Sequence, residues 1–300
     1  MTTGSNIAAV DFVTIQNKAE SLLGTGSATR GYGQTVQSSD VFAGNTITKA
    51  QWDALRFDVI NIRLHQDGVL PNIVQVNVGD PIVYGASNPN TNYNTLLETA
   101  IANRFQIANN QSVITSAGTA TTSSAWSVSA SMTTTVTFSN ATDARYFFNS
   151  GGKIRISSTL TGGSATAQVN AWRNILSSVG TRNFGADTDP FVNYYTLTNS
   201  FQTYFQSSLS TPYSANNIRF EARTDVSNNS TGTATVLTLR VTLFDNYVDP
   251  GPEPSPPPGD LVDGTLSIAV SEVKASGSLL PSGSFTITSP TYSLSSIALT

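Results

Sequence analysis

From Trp126 to Phe138 the apolar residues fall on every second position: Trp126, Val128, Ala130, Met132, Val136 and Phe138, with Thr134 in the same register. Only Ser and Thr occupy the positions between. A period of two places successive side chains on opposite faces of an extended strand, so this stretch has to sit in a sheet with one face buried. Shorter runs repeat the pattern. Ile218, Phe220 and Ala222 alternate with Arg219, Glu221 and Arg223, and Leu237, Leu239, Val241 and Leu243 alternate with Thr238, Arg240 and Thr242. Tyr146 to Phe148 and Lys153 to Ser157 read as two further strands around the polar, Gly-rich connection Asn149-Ser150-Gly151-Gly152, which suits a hairpin. With three aromatics in a row, a strand there would be apolar on both faces, as an inner sandwich strand or a subunit contact is.

The first part of the chain has a different period. Asn6 to Leu23 carries Ile7, Val10, Phe12, Val13 and Ile15 ahead of Gly24 and Gly26, consistent with a short helix. Thr48-Lys49-Ala50-Gln51 fits a capping box, Trp52, Leu55, Val59 and Ile62 follow on one stripe, and Asp67-Gly68 supplies the stop. Thr95-Leu96-Leu97-Glu98 fits a second box, continued by Ile101, Phe105 and Ala108. Between Pro250 and Gly259 six of ten residues are proline, which holds an extended rod; it is read as a spacer, with a Pro-rich ligand for another domain as the alternative. The segment beyond it alternates at Leu266 to Val270 and Phe285 to Ile287 but is small for a core of its own, which suggests that it pairs with another chain.

The predicted fold is therefore mainly β with a helical N-terminal part: an antiparallel β-sandwich, a Pro-rich linker and a short β C-terminal segment. The expected divisions are a helical attachment region at 1–115, the sandwich at 116–249, the linker at 250–259 and the final segment at 260–300.

Charge narrows the function. Only 11% of residues are charged, and the net charge of −4 offers no basic field for phosphate backbones, so nucleic acid is not an expected partner. A neutral surface does little to repel copies of itself, which favours self-association. Cysteine is absent, removing disulfides, thiolate metal sites and cysteine nucleophiles. No window reaches the length of an apolar membrane span, and Met1 to Val10 lacks the features of a secretory signal, so synthesis in a cytoplasm without secretion is expected.

The residues able to do chemistry are few. The single histidine, His65, falls near the end of the Trp52 helix, where an imidazole interacts with the last carbonyls or with solvent. One imidazole and no nucleophile elbow leave a serine triad unsupported. Asp187 with Asp189, Glu221 with Asp225, and Asp245 with Asp249 are the nearest approaches to a glycosidase pair, each more simply a turn or a solvated strand edge. Asp187-Thr188-Asp189-Pro190 resembles part of a calcium loop but lacks the remaining ligand spacing. Trp52, Trp126 and Trp172 could stack on sugars, although two of them already have places in amphipathic patterns; Tyr194, Tyr195 and Tyr204 stand as exposed aromatics. No catalytic, cofactor or metal residue is assigned.

The stretch from Ala144 to Arg155, with Tyr146-Phe147-Phe148-Asn149-Ser150-Gly151-Gly152 its most specific part, together with Gly31-Tyr32-Gly33-Gln34 and Ile47 to Trp52, resembles virion structural proteins of tailed bacteriophages, including those infecting cyanobacteria. The resemblance covers about residues 30 to 200. It implies a non-enzymatic component of tail, neck, baseplate or fibre, located in the virion, that forms a homo-oligomer with a trimer favoured and docks on other virion proteins. A receptor-binding module for host surface polysaccharide is the alternative.

Overall fold

The computed structural model describes residues 9–26, 30–73, 75, 77, 93–248 and 261–300. The Pro-rich stretch at 250–259 lies outside the described residues, as does the predicted start of the first helix before residue 9. The chain forms two compact units that are not consecutive blocks of sequence. One comprises Met1–Val113, Arg145–Gly152 and Lys274–Thr288; the other comprises Ile114–Ala144, Lys153–Val273 and Ser289–Thr300.

The first unit is built on three helices, α1 (Ala9–Leu23), α2 (Lys49–Asp67) and α3 (Tyr93–Ala102). In α1 the buried apolar side chains are Phe12, Ile15, Ala19, Leu22 and Leu23, while Val10, predicted within the apolar stripe, is exposed. In α2 the Thr48 side chain accepts from the Gln51 N–H and Gln51 Oε1 accepts from the Thr48 N–H, so the predicted capping box forms in full. Trp52, Leu55, Val59 and Ile62 are all buried, and Gly68 closes the helix with φ 73°. Rings join the helices: Phe12 and Trp52 lie 5.9 Å apart, and Trp52 meets Tyr93 edge to face at 5.0 Å.

The box predicted at Thr95 to Glu98 does not form, because α3 has already begun at Tyr93. Glu98 instead pairs with Lys18 at 2.8 Å. Phe105 and Ala108 fall beyond the helix, since the chain turns so that the Ala108 N–H donates to the His65 carbonyl at 3.0 Å.

Tyr146 to Phe148 is not a strand. It lies in helix α4 (Ala141–Asn149), and no hairpin follows it. Asn140 Oδ1 accepts from the Asp143 N–H at 2.9 Å and caps the start. At the end, the Gly152 N–H donates to the Phe147 carbonyl at 2.9 Å and the Gly151 N–H to the Phe148 carbonyl at 3.2 Å, with Gly151 at φ 81°. That pair of bonds is a Schellman motif, so the Gly-Gly that suggested a hairpin ends a helix. Phe147 and Phe148 are fully buried.

The second unit is a β-sandwich. Its strands are β1 (Ser112–Thr122), β2 (Ser129–Thr137), β3 (Lys153–Thr161), β4 (Thr181–Phe184), β5 (Gln202–Ser208), β6 (Asn217–Thr224), β7 (Val236–Phe244), β8 (Thr265–Ala275), β9 (Thr291–Leu294) and β10 (Ala298–Leu299), the ends of β1 and β8 reaching into the first unit's residues. One sheet has the order β1-β8-β3-β4; the other runs β10-β2-β7-β6-β5, with β9 also on β2. The alternation of β2, β6 and β7 is realised as predicted: Ala130, Met132, Val136, Ile218, Phe220, Ala222, Leu237, Leu239, Val241 and Leu243 are all buried. The β2 pattern starts late, however. Trp126 forms a single bridge to Val262, and Val128 is exposed where its N–H turns to the Thr300 carbonyl. Helix α5 (Ala167–Val179), capped by Thr166, brings Trp172 against Trp126 at 5.1 Å, edge to face.

The C-terminal segment pairs within its own chain rather than with another. β8 lies between β1 and β3, its register with β3 running from Lys153 opposite Val273 to Thr161 opposite Thr265, and it buries Leu266, Ile268 and Val270. A strand buried on its inner face and flanked on both sides has no edge left for a second copy.

Candidate functional site

Two edge strands of the sandwich, β4 from one sheet and β5 from the other, flank a cleft of about 280 Å³ lined by Lys153, Thr181, Arg182, Asn183, Asp187, Thr188, Tyr204 and Phe205. Local sequence explains how these residues meet. The β5–β6 register slips between Thr203 and Phe205, so Tyr204 is the extra residue of a β-bulge. In a regular strand Tyr204 and Phe205 would face opposite ways. Across the bulge both rings contact Phe220, at 6.1 Å and 5.9 Å, and Tyr204 also reaches Phe184 of β4 at 5.1 Å.

Arg182 shares the face of β4 that carries the buried Phe184, and therefore points inward. Its guanidinium carbon sits 3.6 Å from the centre of the Phe205 ring, a close cation–π contact. Among the described residues its Nε is buried with no hydrogen-bond partner and Arg182 forms no ion pair. The Tyr204 hydroxyl is likewise buried without a partner. Burial pushes its pKa above the usual tyrosine range, with the Arg182 charge partly opposing the shift. Lys153 Nζ and Asp187 Oδ2 form a half-exposed ion pair at 2.8 Å in the same cleft. The Thr188 hydroxyl is taken up by the Gly185 to Thr188 turn, accepting from the Gly185 N–H at 2.6 Å.

Of the residues singled out from sequence, the cleft thus unites Asp187 and Tyr204. Asp189 is separated from Asp187 in role, its carboxylate accepting from the Phe191 and Val192 N–H groups of a turn. Glu221 is held by Arg240 at 2.8 Å, and Asp225 accepts from the Thr235 N–H and hydroxyl. Asp245 is buried and accepts from the side-chain amides of Gln168 and Asn216; Asp249 lies outside the described residues. Each of the described carboxylates, Asp187, Asp189, Glu221, Asp225 and Asp245, thus has a structural partner. Among the described residues no group of three or more His, Asp and Glu converges on a metal position, and no helix is long and apolar enough to cross a membrane.

The aromatic expectations change more. Trp52, Trp126 and Trp172 are buried, as are Tyr194 and Tyr195, so none of them offers a sugar platform. His65 is neither a cap nor exposed. It is fully buried in the first unit, stacked on Phe285 at 4.4 Å and 4.9 Å from Tyr32, and among the described residues neither ring nitrogen has a partner in hydrogen-bonding geometry. The residues that sequence reasoning passed over are Arg182, Lys153 and Phe205. An arginine in the short run Thr181-Arg182-Asn183-Phe184 gives no signal of its own, and the bulge that brings Phe205 to it has no sequence marker.

No family model matches the chain, and no curated protein or solved structure matches it.

Proposed function

We propose that this protein is a non-enzymatic structural component of a tailed-phage virion, part of a tail, neck, baseplate or fibre, made in the host cytoplasm and incorporated by association with copies of itself and with other virion proteins. The sequence resemblance supports the virion assignment. The observation that carries self-association is strand β1.

β1 is an edge strand of 11 residues with no charge and no proline, and it exposes Val113 and Ile114, the latter at 60%. Proteins shield such edges with short strands, bulges, prolines or inward charges, because unpaired N–H and C=O groups recruit other strands. The other edges here have that protection: β4 has four residues and the inward Arg182, β5 carries the bulge, and β9 and β10 have four and two residues. Among the described edges β1 is the longest, and it carries neither charge nor proline. In the proposed assembly β1 adds to a strand edge of a second copy, with a trimer the favoured state.

Light scattering on the whole protein tests this. The expected result is an oligomer that falls to the monomer mass when Ile114→Lys and Thr119→Lys place charges on β1, with the fold retained by circular dichroism. A monomeric wild type, or an oligomer indifferent to the two lysines, removes β1 as the assembly edge.

A second reading, a receptor-binding module for host surface polysaccharide, is favoured by the polar cleft at β4 and β5.

A further inference from the structure

We infer that the β4–β5 cleft binds an acidic sugar residue, with the Arg182 guanidinium taking its carboxylate and the Tyr204 hydroxyl and the Lys153–Asp187 pair taking its hydroxyls. This names the ligand class of the polysaccharide-binding reading and rests on that reading.

Unsatisfied polar atoms in the cleft point to a ligand. A buried donor without a partner costs free energy, so buried polar atoms in folded proteins are nearly always paired. The cleft holds two such atoms, Arg182 Nε and Tyr204 Oη. An inward charge on an edge strand does guard against strand addition, but edge protection needs only the charge. It does not need the guanidinium fixed on an aromatic ring beside an unpartnered buried hydroxyl. Phe205 holds Arg182 in place at 3.6 Å, and a fixed, half-buried guanidinium is a planar fork that matches an oxyanion.

Charge selects which oxyanion. Two cations, Arg182 and Lys153, face one carboxylate, Asp187, leaving one net positive charge in the cleft. That balance suits a single negative charge, and Asp187 disfavours a doubly charged phosphate. The remaining lining sets a donor beside an acceptor, the ammonium of Lys153 and the carboxylate of Asp187, with Thr181 and Asn183 at its edge. Such a pairing fits a ring carrying several hydroxyls, each both donor and acceptor. At about 280 Å³ the cleft lies at the small end of ligand sites, so it takes one sugar ring rather than an extended chain.

The test titrates the full-length protein, by calorimetry and amide chemical shifts, with glucuronate, galacturonate and sialic acid against neutral glucose and galactose, each to tens of millimolar. The expected result is binding of at least one acidic sugar, weakened by salt, with shifts centred on Lys153, Thr181 to Asn183 and Tyr204. Arg182→Gln should weaken it about tenfold, the loss of one charge-assisted hydrogen bond, and Tyr204→Phe severalfold. The shift map on the wild type keeps the test decisive even where a variant misfolds. Equal binding of neutral and acidic sugars, or full affinity in folded Arg182→Gln, overturns the carboxylate assignment while leaving the saccharide reading standing. Binding of no sugar at all overturns both, and leaves Arg182 as edge protection.

Discussion

Asn61 and Leu280, 219 residues apart, exchange two hydrogen bonds: Asn61 Nδ2 donates to the Leu280 carbonyl at 2.9 Å, and the Leu280 N–H donates to Asn61 Oδ1 at 2.7 Å. The amide of a buried α2 side chain thus pairs with main chain as a neighbouring strand would. Gln34 does the same to Thr286, accepting from its N–H at 3.0 Å. These bonds stitch residues 274–288 into the helical unit. Asn61→Ala leaves the part-buried Leu280 N–H unpaired, while Gln37 Nε2 still donates to the Leu280 carbonyl, and the expected cost is about 1–3 kcal/mol in a urea titration. Asn61→Asp, which keeps only the acceptor, should cost at least as much. A neutral Asn61→Ala would show that Leu280 finds other partners.

Truncation should act on both units at once. Removing residues 261–300 takes β8 from between β1 and β3, takes β9 and β10 from the edge of β2, and takes the segment bound by Asn61 and Gln34. The expected product is an unfolded or aggregated chain, not a smaller folded one, because the apolar faces that Leu266, Ile268 and Val270 cover become exposed. Expression of chains ending at residue 248 and at residue 300, compared by circular dichroism, decides it. A folded, monomeric short form would mean that β8 is dispensable.

His65 makes the helical unit acid-sensitive. Burial between Tyr32 and Phe285 lowers its pKa from 6.5 to about 4, and a weaker main-chain contribution from Ser150 offsets only part of that. The folded state holds the ring neutral, whereas the unfolded chain takes up a proton near pH 6.5. The stability this represents is therefore full above about pH 6.5 and drains as pH falls toward 4, a loss of about 3 kcal/mol. His65→Phe keeps a ring in the stack and removes the titration. Its stability relative to wild type should rise between neutral pH and pH 4, carboxylate effects being common to both. Parallel pH profiles would place the acid sensitivity elsewhere.

What could be read from the sequence was whatever local pattern decides. Thr48 and Gln51 cap a helix because both partners lie within one turn, and β2, β6 and β7 alternate because a half-buried sheet demands it. The misreadings share one cause, a partner distant in sequence. Tyr146-Phe147-Phe148 has strand composition, but Phe147 and Phe148 are buried from a helix whose local marks, Asn140 and the Gly151-Gly152 cap, are also turn residues. Glu98 answers to Lys18 rather than to Thr95. His65 looked like a cap because Tyr32 and Phe285 cannot be seen beside it in one dimension. In the cleft, Asp187 and Tyr204 were visible as residue types, yet only the bulge in β5 makes them neighbours of Arg182.

Side-chain hydrogen bonds from one carboxylate tie the two sheets of the sandwich together. Glu272 on β8 is buried, and its carboxylate accepts from the Tyr292 hydroxyl of β9 at 2.8 Å and from the Ser289 hydroxyl at 2.7 Å. Burial, with the adjacent carboxylate adding to it, pushes the Tyr292 phenol far above its usual range, so it remains a donor at any ordinary pH. Tyr292→Phe removes one of two donors from a buried carboxylate. The ring's packing survives, so the measured loss isolates the hydrogen bond, expected at about 1–3 kcal/mol because the acceptor is charged. Glu272→Gln in the Tyr292→Phe background should add little, since the pair has already been broken, and a double-mutant cycle reads that coupling directly. Additive losses from the two substitutions would mean that Glu272 and Tyr292 act independently, and the link between β8 and β9 would then rest on packing alone.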